Sequence, residues 1–304
     1  MDYVLTTNNL CKQYRNFKAL DGLSMHVPKG AIYGFVGRNG AGKTTLIRLL
    51  CGLQEPTSGE YTLYGVKHSD RQIFKCRRRM GAVVETPSIY VNLSATDNLK
   101  AQYDILGMPS YDDIPDLLKL VGLEKAGKKK AKDFSLGMKQ RLGIAIALVG
   151  NSDFLVLDEP VNGLDPQGIV GIRELLLRLN RERQMTILIS SHILDELEKL
   201  ATHYGFIDHG RIVKEISAKE LEAICRKMIC LEVTDSKVLA HVLDTMQVEY
   251  KIISDTRADV FEKVNITALT LALAKENCEV LSVQEKEESL ESYYISLIGG
   301  GKHA

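Results

Sequence analysis

The chain of 304 residues has no excess charge, because 39 basic side chains cancel 39 acidic ones. That balance excludes a protein that coats nucleic acid through overall charge and leaves only local patches to consider. Long apolar runs are also missing. The longest, Leu142 to Gly150, is far short of the ~20 residues a membrane helix needs. The first residues, Met1-Asp2-Tyr3, carry neither the basic region nor the apolar stretch of a signal peptide, so a cytoplasmic location is expected. The six cysteines (Cys11, Cys51, Cys76, Cys225, Cys230 and Cys278) are scattered and form no CxxC pair. A closely spaced metal site and a dense disulfide scaffold are thereby excluded, and reduced thiols packed as small hydrophobes are expected. There is no internal repeat, low-complexity linker or sustained heptad run. What remains is ordinary globular composition, 45% hydrophobic and 26% charged, at a length that predicts two domains with a sizeable core.

The first two-thirds alternate short apolar runs with longer amphipathic ones. Ala31–Val36 reads as a buried strand, followed by a Gly-rich turn and a helix over about Lys43–Gly52. Met80–Glu85 is a further apolar run. Phe154–Leu157 and Thr186–Ser190 are two more buried strands, with a helical pattern over Ile169–Arg183 between them. Such alternation predicts an α/β domain with a mostly parallel sheet covered on both faces. Asn92–Val121 is helical in pattern and reads as part of an inserted helical subdomain. Near Ser217 the texture changes. Strands over Ile229–Val233, Val248–Ser254, Asp259–Val264 and Val280–Gln284 interleave with helices over Lys237–Met246 and Ile266–Asn277, before a last helix over Ser289–Ile298. That β-α-β-β-α-β order matches the split βαβ, ferredoxin-like arrangement, giving a small α+β domain. The predicted boundaries are about 1–215, with the helical subdomain at about 86–150, and about 216–304. The basic runs Arg77-Arg78-Arg79 and Lys128-Lys129-Lys130 read as solvated faces.

Two motifs carry chemistry. Gly37-Arg38-Asn39-Gly40-Ala41-Gly42-Lys43-Thr44-Thr45 fits the phosphate-binding pattern G-x4-G-K-[ST], with a strand before it and a helix after it. Glycines let backbone N–H groups approach phosphate oxygens without interference from a Cβ. The helix N-terminus adds favourable partial positive charge. Lys43 can reach the terminal phosphates and the Thr44 hydroxyl can ligate Mg2+. The second motif, Phe154-Leu155-Val156-Leu157-Asp158-Glu159-Pro160, delivers two carboxylates to the C-terminal edge of a strand, where ligands of open α/β sheets bind. Adjacent acids repel in a dry site, so they need a cation or a proton-handling role. Asp158 is expected to hold Mg2+ through its water shell, and Glu159 to orient and deprotonate the attacking water.

Between these motifs lies Phe134-Ser135-Leu136-Gly137-Met138-Lys139-Gln140-Arg141-Leu142. Here the chain resembles the nucleotide-binding subunits of ABC transporters, whose signature reads Leu-Ser-Gly-Gly-Gln before a helix of small apolar residues. Ser135 and Gly137 match; Leu136 and Met138 do not, a variant that looks like those of bacterial drug-type exporters. The resemblance covers about residues 3–215. It implies a P-loop NTPase of ABC type, with an antiparallel N-terminal β part, that binds ATP and Mg2+ and hydrolyses ATP. Ser135 and Gly137 would contact the γ-phosphate held by an opposing subunit, so a homodimer is implied. Asn162-Gly163-Leu164-Asp165 looks like the D-loop, with Asp165 bridging the dimer. His192 sits where the family places a switch histidine on the γ-phosphate; a histidine at a strand end also serves simple packing. Tyr14, in Leu10-Cys11-Lys12-Gln13-Tyr14, matches the aromatic that stacks on adenine, or packs on the core. One position departs from the pattern. After the strand Gly81-Ala82-Val83-Val84, the family's Mg2+-touching glutamine is Glu85 here. This exchange resembles the ATP-binding subunits of lantibiotic-immunity and bacitracin-resistance exporters. It adds a negative charge near the triphosphate, or is neutral, or the true position lies a residue away.

The resemblance therefore implies an ATPase that energises a membrane exporter of a peptide antibiotic or related drug. Separate permease subunits would dock on the helical subdomain and the Glu85–Ile105 stretch, holding the chain on the inner face of the membrane, with no nucleic-acid partner. The alternative is a soluble nucleotide-driven clamp or switch on a non-membrane partner. For the second domain, a packing or dimerisation module and a regulator of dimer closure both stay open.

Overall fold

A computed structural model describes residues 2–224, 228–261, 264–286 and 290–299. Two compact units emerge, Met1–Ala218 and Lys219–Ala304. In the first, β1 (Tyr3–Tyr14) and β2 (Phe17–Pro28) form a long antiparallel hairpin closing at Tyr14↔Phe17. Arg15 in its two-residue turn takes φ 49°, the left-handed conformation such turns favour. β3 (Ile32–Val36) is buried along its whole length, as a central parallel strand covered on both faces must be. The phosphate-loop pattern follows it, and then α1 (Lys43–Leu50). β4 (Ser58–Leu63) and β5 (Val66–Lys67) return to the hairpin and complete a four-stranded sheet ordered β2-β1-β4-β5.

After α2 (Ile73–Arg77), β6 (Met80–Val83) enters the main sheet. The region expected to be helical over Asn92–Val121 is two helices, α3 (Ala95–Leu106) and α4 (Ile114–Leu120). Gly107, at φ 66°, ends α3, as a left-handed C-terminal glycine does, and Pro109 follows where a helix cannot simply continue. Then come α5 (Leu136–Leu148), β7 (Phe154–Asp158), α6 (Pro166–Arg183), β8 (Thr186–Ser191), α7 (Leu194–Glu198), β9 (His203–Asp208) and β10 (Arg211–Ser217). The main sheet runs β10-β9-β3-β8-β7-β6. All its pairs are parallel except the edge pair β10–β9. Leu46, Ile47, Leu49 and Leu50 of α1 join Tyr33, Phe35, Phe154 and Leu188 of the main sheet and Leu5, Leu20 and Leu63 of the first sheet in one core. Among the described residues, no helix is long and apolar enough to cross a membrane.

In the run Arg77-Arg78-Arg79, Arg78 and Arg79 are exposed as expected of a solvated face, and Arg77 is half-buried. Arg77 donates to the Tyr61 hydroxyl at 2.6 Å and to the Leu50 carbonyl at 3.2 Å. Arg79 pairs with Asp153 and lies 3.8 Å over the Tyr64 ring. A guanidinium on a short connection between packed elements can satisfy several acceptors at once, which water otherwise would. Lys128, Lys129 and Lys130 are exposed.

α8 (Ala218–Ile224) starts at the last residue of the first unit, and the second unit continues with β11 (Met228–Val233), α9 (Ser236–Thr245), β12 (Tyr250–Ser254), β13 (Arg257–Val260), α10 (Ile266–Lys275), β14 (Val280–Lys286) and α11 (Leu290–Gly299). The sheet order β12-β13-β11-β14 is antiparallel throughout, the connectivity of a split βαβ unit. β13 starts two residues before the expected Asp259, because the hairpin turn at Asp255-Thr256 pairs Ser254 with Arg257. Leu231, Val233, Leu239, Leu243, Val260 and Leu273 form the unit's own core. Cys225 lies outside the described residues; Cys76, Cys230 and Cys278 are buried, and Cys11 and Cys51 are half-buried.

Candidate active site

The strand order puts the C-terminal ends of β3, β8 and β7 side by side, so three loops meet along one edge of the sheet. The loop after β3 is Gly37–Thr45. A Cβ at Gly37 would lie 2.6 Å from the Ile207 carbonyl oxygen, so no other residue fits there. Gly42 takes φ 113°, and a Cβ there would lie 2.5 Å from the Ala19 carbonyl oxygen. Gly42 is also the N-cap of α1 and supplies no capping side chain. The first-turn N–H groups of α1 thus keep the donor capacity that suits them to phosphate.

Lys43 is only 6% exposed. Its ammonium donates to the Gly37 carbonyl at 2.6 Å and the Arg38 carbonyl at 3.3 Å, and lies 3.2 Å from Glu159 Oε1. A cavity of about 230 Å³ opens here, lined by Asn39, Gly40, Gly42, Lys43, Thr44 and Thr45, with Glu159 and, from β2, Phe17 and Ala19. Arg38, Asn39 and Gly40 are exposed, whereas Ala41 is buried. At the other end of α1, burial pushes the Cys51 thiol up to about 11, so it adds no charge behind the loop. A larger cavity, of about 430 Å³, lies among α3, α4 and the ends of α5 and α6, lined by Tyr103, Asp116 and Arg183 among others. None of the phosphate-loop residues reaches it.

β7 delivers Asp158 and Glu159. Asp158 is buried and accepts a 2.6 Å hydrogen bond from the Ser190 hydroxyl. The same hydroxyl accepts the Glu159 N–H at 3.0 Å, and the Ser190 carbonyl accepts it at 3.2 Å. Glu159 has φ 50°, a conformation that costs energy for a residue with a Cβ and persists where surroundings impose it. Its carboxylate stands between two cationic or hydrogen-bonding groups, Lys43 at 3.2 Å and His192 Nδ1 at 2.7 Å. Ser190 was hidden within an apolar strand pattern. The sequence signal for it is weak: a hydroxyl in a strand buried throughout needs a polar partner.

The other expected residues lie apart from this cavity or have local partners. Ser135 caps α5, accepting the Met138 N–H at 3.2 Å, and is exposed. Gly137 is buried, with Gly168 and Leu164 nearest to where a Cβ would be. The cavity is lined without either. Asp165 caps α6, accepting the Gly168 N–H at 3.1 Å. Tyr14 is turned to Gln54, and the aromatic that lines the cavity is Phe17, three residues on. Glu85 leaves the end of β6 at φ 60° and pairs with Arg48 of α1.

The ABC transporter family model matches residues 20–162. The chain is 41% identical over 308 residues to the bacitracin transport ATP-binding protein BcrA of Bacillus licheniformis, with 99% of each chain covered. It is 44% identical over 232 residues to the lantibiotic transport ATP-binding protein SrtF of Streptococcus pyogenes, covering 75% of this chain and 99% of that one. Among solved structures, cbiO1 of Clostridium perfringens, part of the ABC transporter complex cbiONQ, superposes with a TM-score of 0.66 at 27% identity. That match covers 81% of this chain and 97% of the other. The dimeric, ADP- and Pi-bound cassette MJ0796 has a TM-score of 0.64 at 24% identity, covering 70% of this chain and 98% of that one, and shares the fold. With this cassette fold, this phosphate loop and relatives matched along their whole length, the chain belongs to the ABC transporter family as an ATP-binding, ATP-hydrolysing subunit.

Proposed function

We propose that this subunit hydrolyses ATP to drive a membrane permease that exports a peptide antibiotic of the bacitracin or lantibiotic type. The transport named for BcrA and SrtF supports the substrate class. For the chemistry, the carrying observation is the Glu159 carboxylate, set between Lys43 and His192 at the mouth of the phosphate loop. The loop N–H groups and Lys43 bind the phosphates. Glu159 orients the attacking water and takes its proton as the new P–O bond forms and the bond to the ADP oxygen breaks. His192 fixes the direction of the Glu159 carboxylate and faces the terminal phosphate. Asp158, held by Ser190, is kept from turning toward Glu159.

The donors present fit Mg2+. Thr44 supplies a half-buried hydroxyl and Asp158 a buried carboxylate, both hard oxygen ligands. Among the described residues no group of three or more His, Cys, Asp or Glu could hold a metal ion, which suits an ion shared with substrate phosphates rather than caged by protein. Thr44 and Asp158 would hold it, with Glu85 close to its shell, and it would neutralise phosphate charge. Ser135 and Gly137, exposed or packed away from the cavity, would complete the site of a second copy arranged head to tail, with Asp165 at the junction. The exposed Tyr90 and Val91 lie in the segment where a permease element would dock, placing the chain at the inner membrane face. The second unit is read as an accessory module for regulation or dimerisation; SrtF matches over 232 residues, close to the length of the first unit.

The test is Glu159→Gln. It should keep ATP affinity while lowering kcat by about 10²–10⁴-fold, and it should trap an ATP-dependent dimer in size-exclusion chromatography. Full ATPase activity in this variant would remove Glu159 as the base. Co-purification with a polytopic subunit from membranes tests the transport reading.

A further inference from the structure

Glu85 is a proposed site acid that does not itself line the cavity. Asp158 is held by Ser190, and Glu159 faces Lys43 and His192. The Glu85 carboxylate pairs instead with Arg48 Nη2. Arg48 lies on α1 four residues after Thr44, and residues at that spacing share one face of a helix. Glu85 is therefore drawn toward the face of α1 that begins at the phosphate loop. Its φ of 60° shows the chain bending away from β6 in the same short segment. An amide at this position would carry no charge and need no such cation.

We propose that Arg48 is a positioning residue for nucleotide binding: its guanidinium holds the Glu85 carboxylate along the Thr44 face of α1, away from the phosphates. An acid can then stand at the end of β6 without repelling the triphosphate. The inference rests on the reading of this cavity as the ATP site. The pair is well solvated, with side chains 37% and 56% exposed, so its effect is modest; exposed pairs alter equilibria by up to about five-fold. Neither Arg48 nor Glu85 lines the cavity, so the guanidinium's own charge acts equally with or without Glu85, and what the pair adds is restraint of the carboxylate.

The test uses the full chain and a fluorescent ATP analogue, titrated with EDTA and with Mg2+. With EDTA, Arg48→Met weakens binding by up to about five-fold, Arg48→Lys recovers part of it, and in a Glu85→Gln background Arg48→Met has a clearly smaller effect. Mg2+ shrinks the difference, since added cation screens the freed carboxylate. Equal losses in both backgrounds, or no loss in the Glu85 background, overturn the proposal. If Arg48→Met does not fold, Arg48→Gln and Arg48→Lys carry the same comparison, with melting temperatures as the control. Failure of the parent chain to bind the analogue at all would instead refute the ATP site.

Discussion

Ser190 is a single hydroxyl with two duties, and replacing it with alanine separates them. In the native chain it donates to buried Asp158 at 2.6 Å and accepts the Glu159 N–H at 3.0 Å. Ser190→Ala keeps the backbone acceptor at 3.2 Å for that N–H, so the larger loss falls on Asp158. A hydrogen bond to a charged group contributes about 1.5–3 kcal/mol, and the buried carboxylate has no water to replace it. We therefore expect a destabilisation of ~2 kcal/mol in the first unit. A global unfolding curve does not assign a loss to one unit, because the chain has two, which need not unfold together. It also has no tryptophan, and tyrosines lie in both units. Hydrogen exchange of peptides covering β7 and β8 reports on the first unit alone. Freed from Ser190, the Asp158 carboxylate drifts, and a misplacement of about 1 Å lowers kcat by up to ~10²-fold with little change in KM. Ser190→Ala with exchange within ~0.5 kcal/mol of the parent and an unchanged kcat would refute the reasoning.

Two further outcomes follow from other contacts. Asn98, buried at 2% exposure, accepts the Tyr90 N–H at 2.7 Å and donates to the carbonyls of Tyr90 at 3.0 Å and Ser94 at 2.9 Å. Asn98→Ala should cost about 1–3 kcal/mol and speed exchange of the Tyr90 amide; unchanged exchange there would show that the loop is held by something else. Arg211, with Lys18, holds the Asp21 carboxyl below the usual carboxylate range. A carboxyl depressed in the folded state stabilises above its unfolded pKa and loses that contribution as pH falls through the folded value. Asp21→Asn should thus be less stable than the parent at neutral pH, and the gap should close below about pH 4. A gap that persists in acid, measured by hydrogen exchange of peptides covering β2 and β10 at stepped pH, would mean the contact is not ionic.

How much of this was legible beforehand differs from element to element. Buried parallel strands announce themselves as short apolar runs, and β3, β7 and β8 are buried throughout. The hairpin of β1 and β2 was harder, because its burial alternates irregularly around register shifts. The break between α3 and α4 at Gly107 was hidden by apolar residues on both sides that keep a helical period. Arg77 read as surface charge because a run of arginines does not say which acceptors will face it.

By itself, the sequence determined the chemistry available here: a glycine-rich phosphate loop, two acids at a strand end, no excess charge and no apolar run of membrane-helix length. These are local properties, set by residue type and spacing, so they survive without knowledge of distant contacts. The tertiary structure decided which groups meet. Lys43, Glu159 and His192 are far apart in the chain and come together because β3, β8 and β7 lie next to each other. The pairing of Glu85 with Arg48, the turning of Tyr14 to Gln54 and the double duty of Ser190 were decided in the same way. Each depends on the distance between side chains on different elements, which packing sets and residue spacing cannot state.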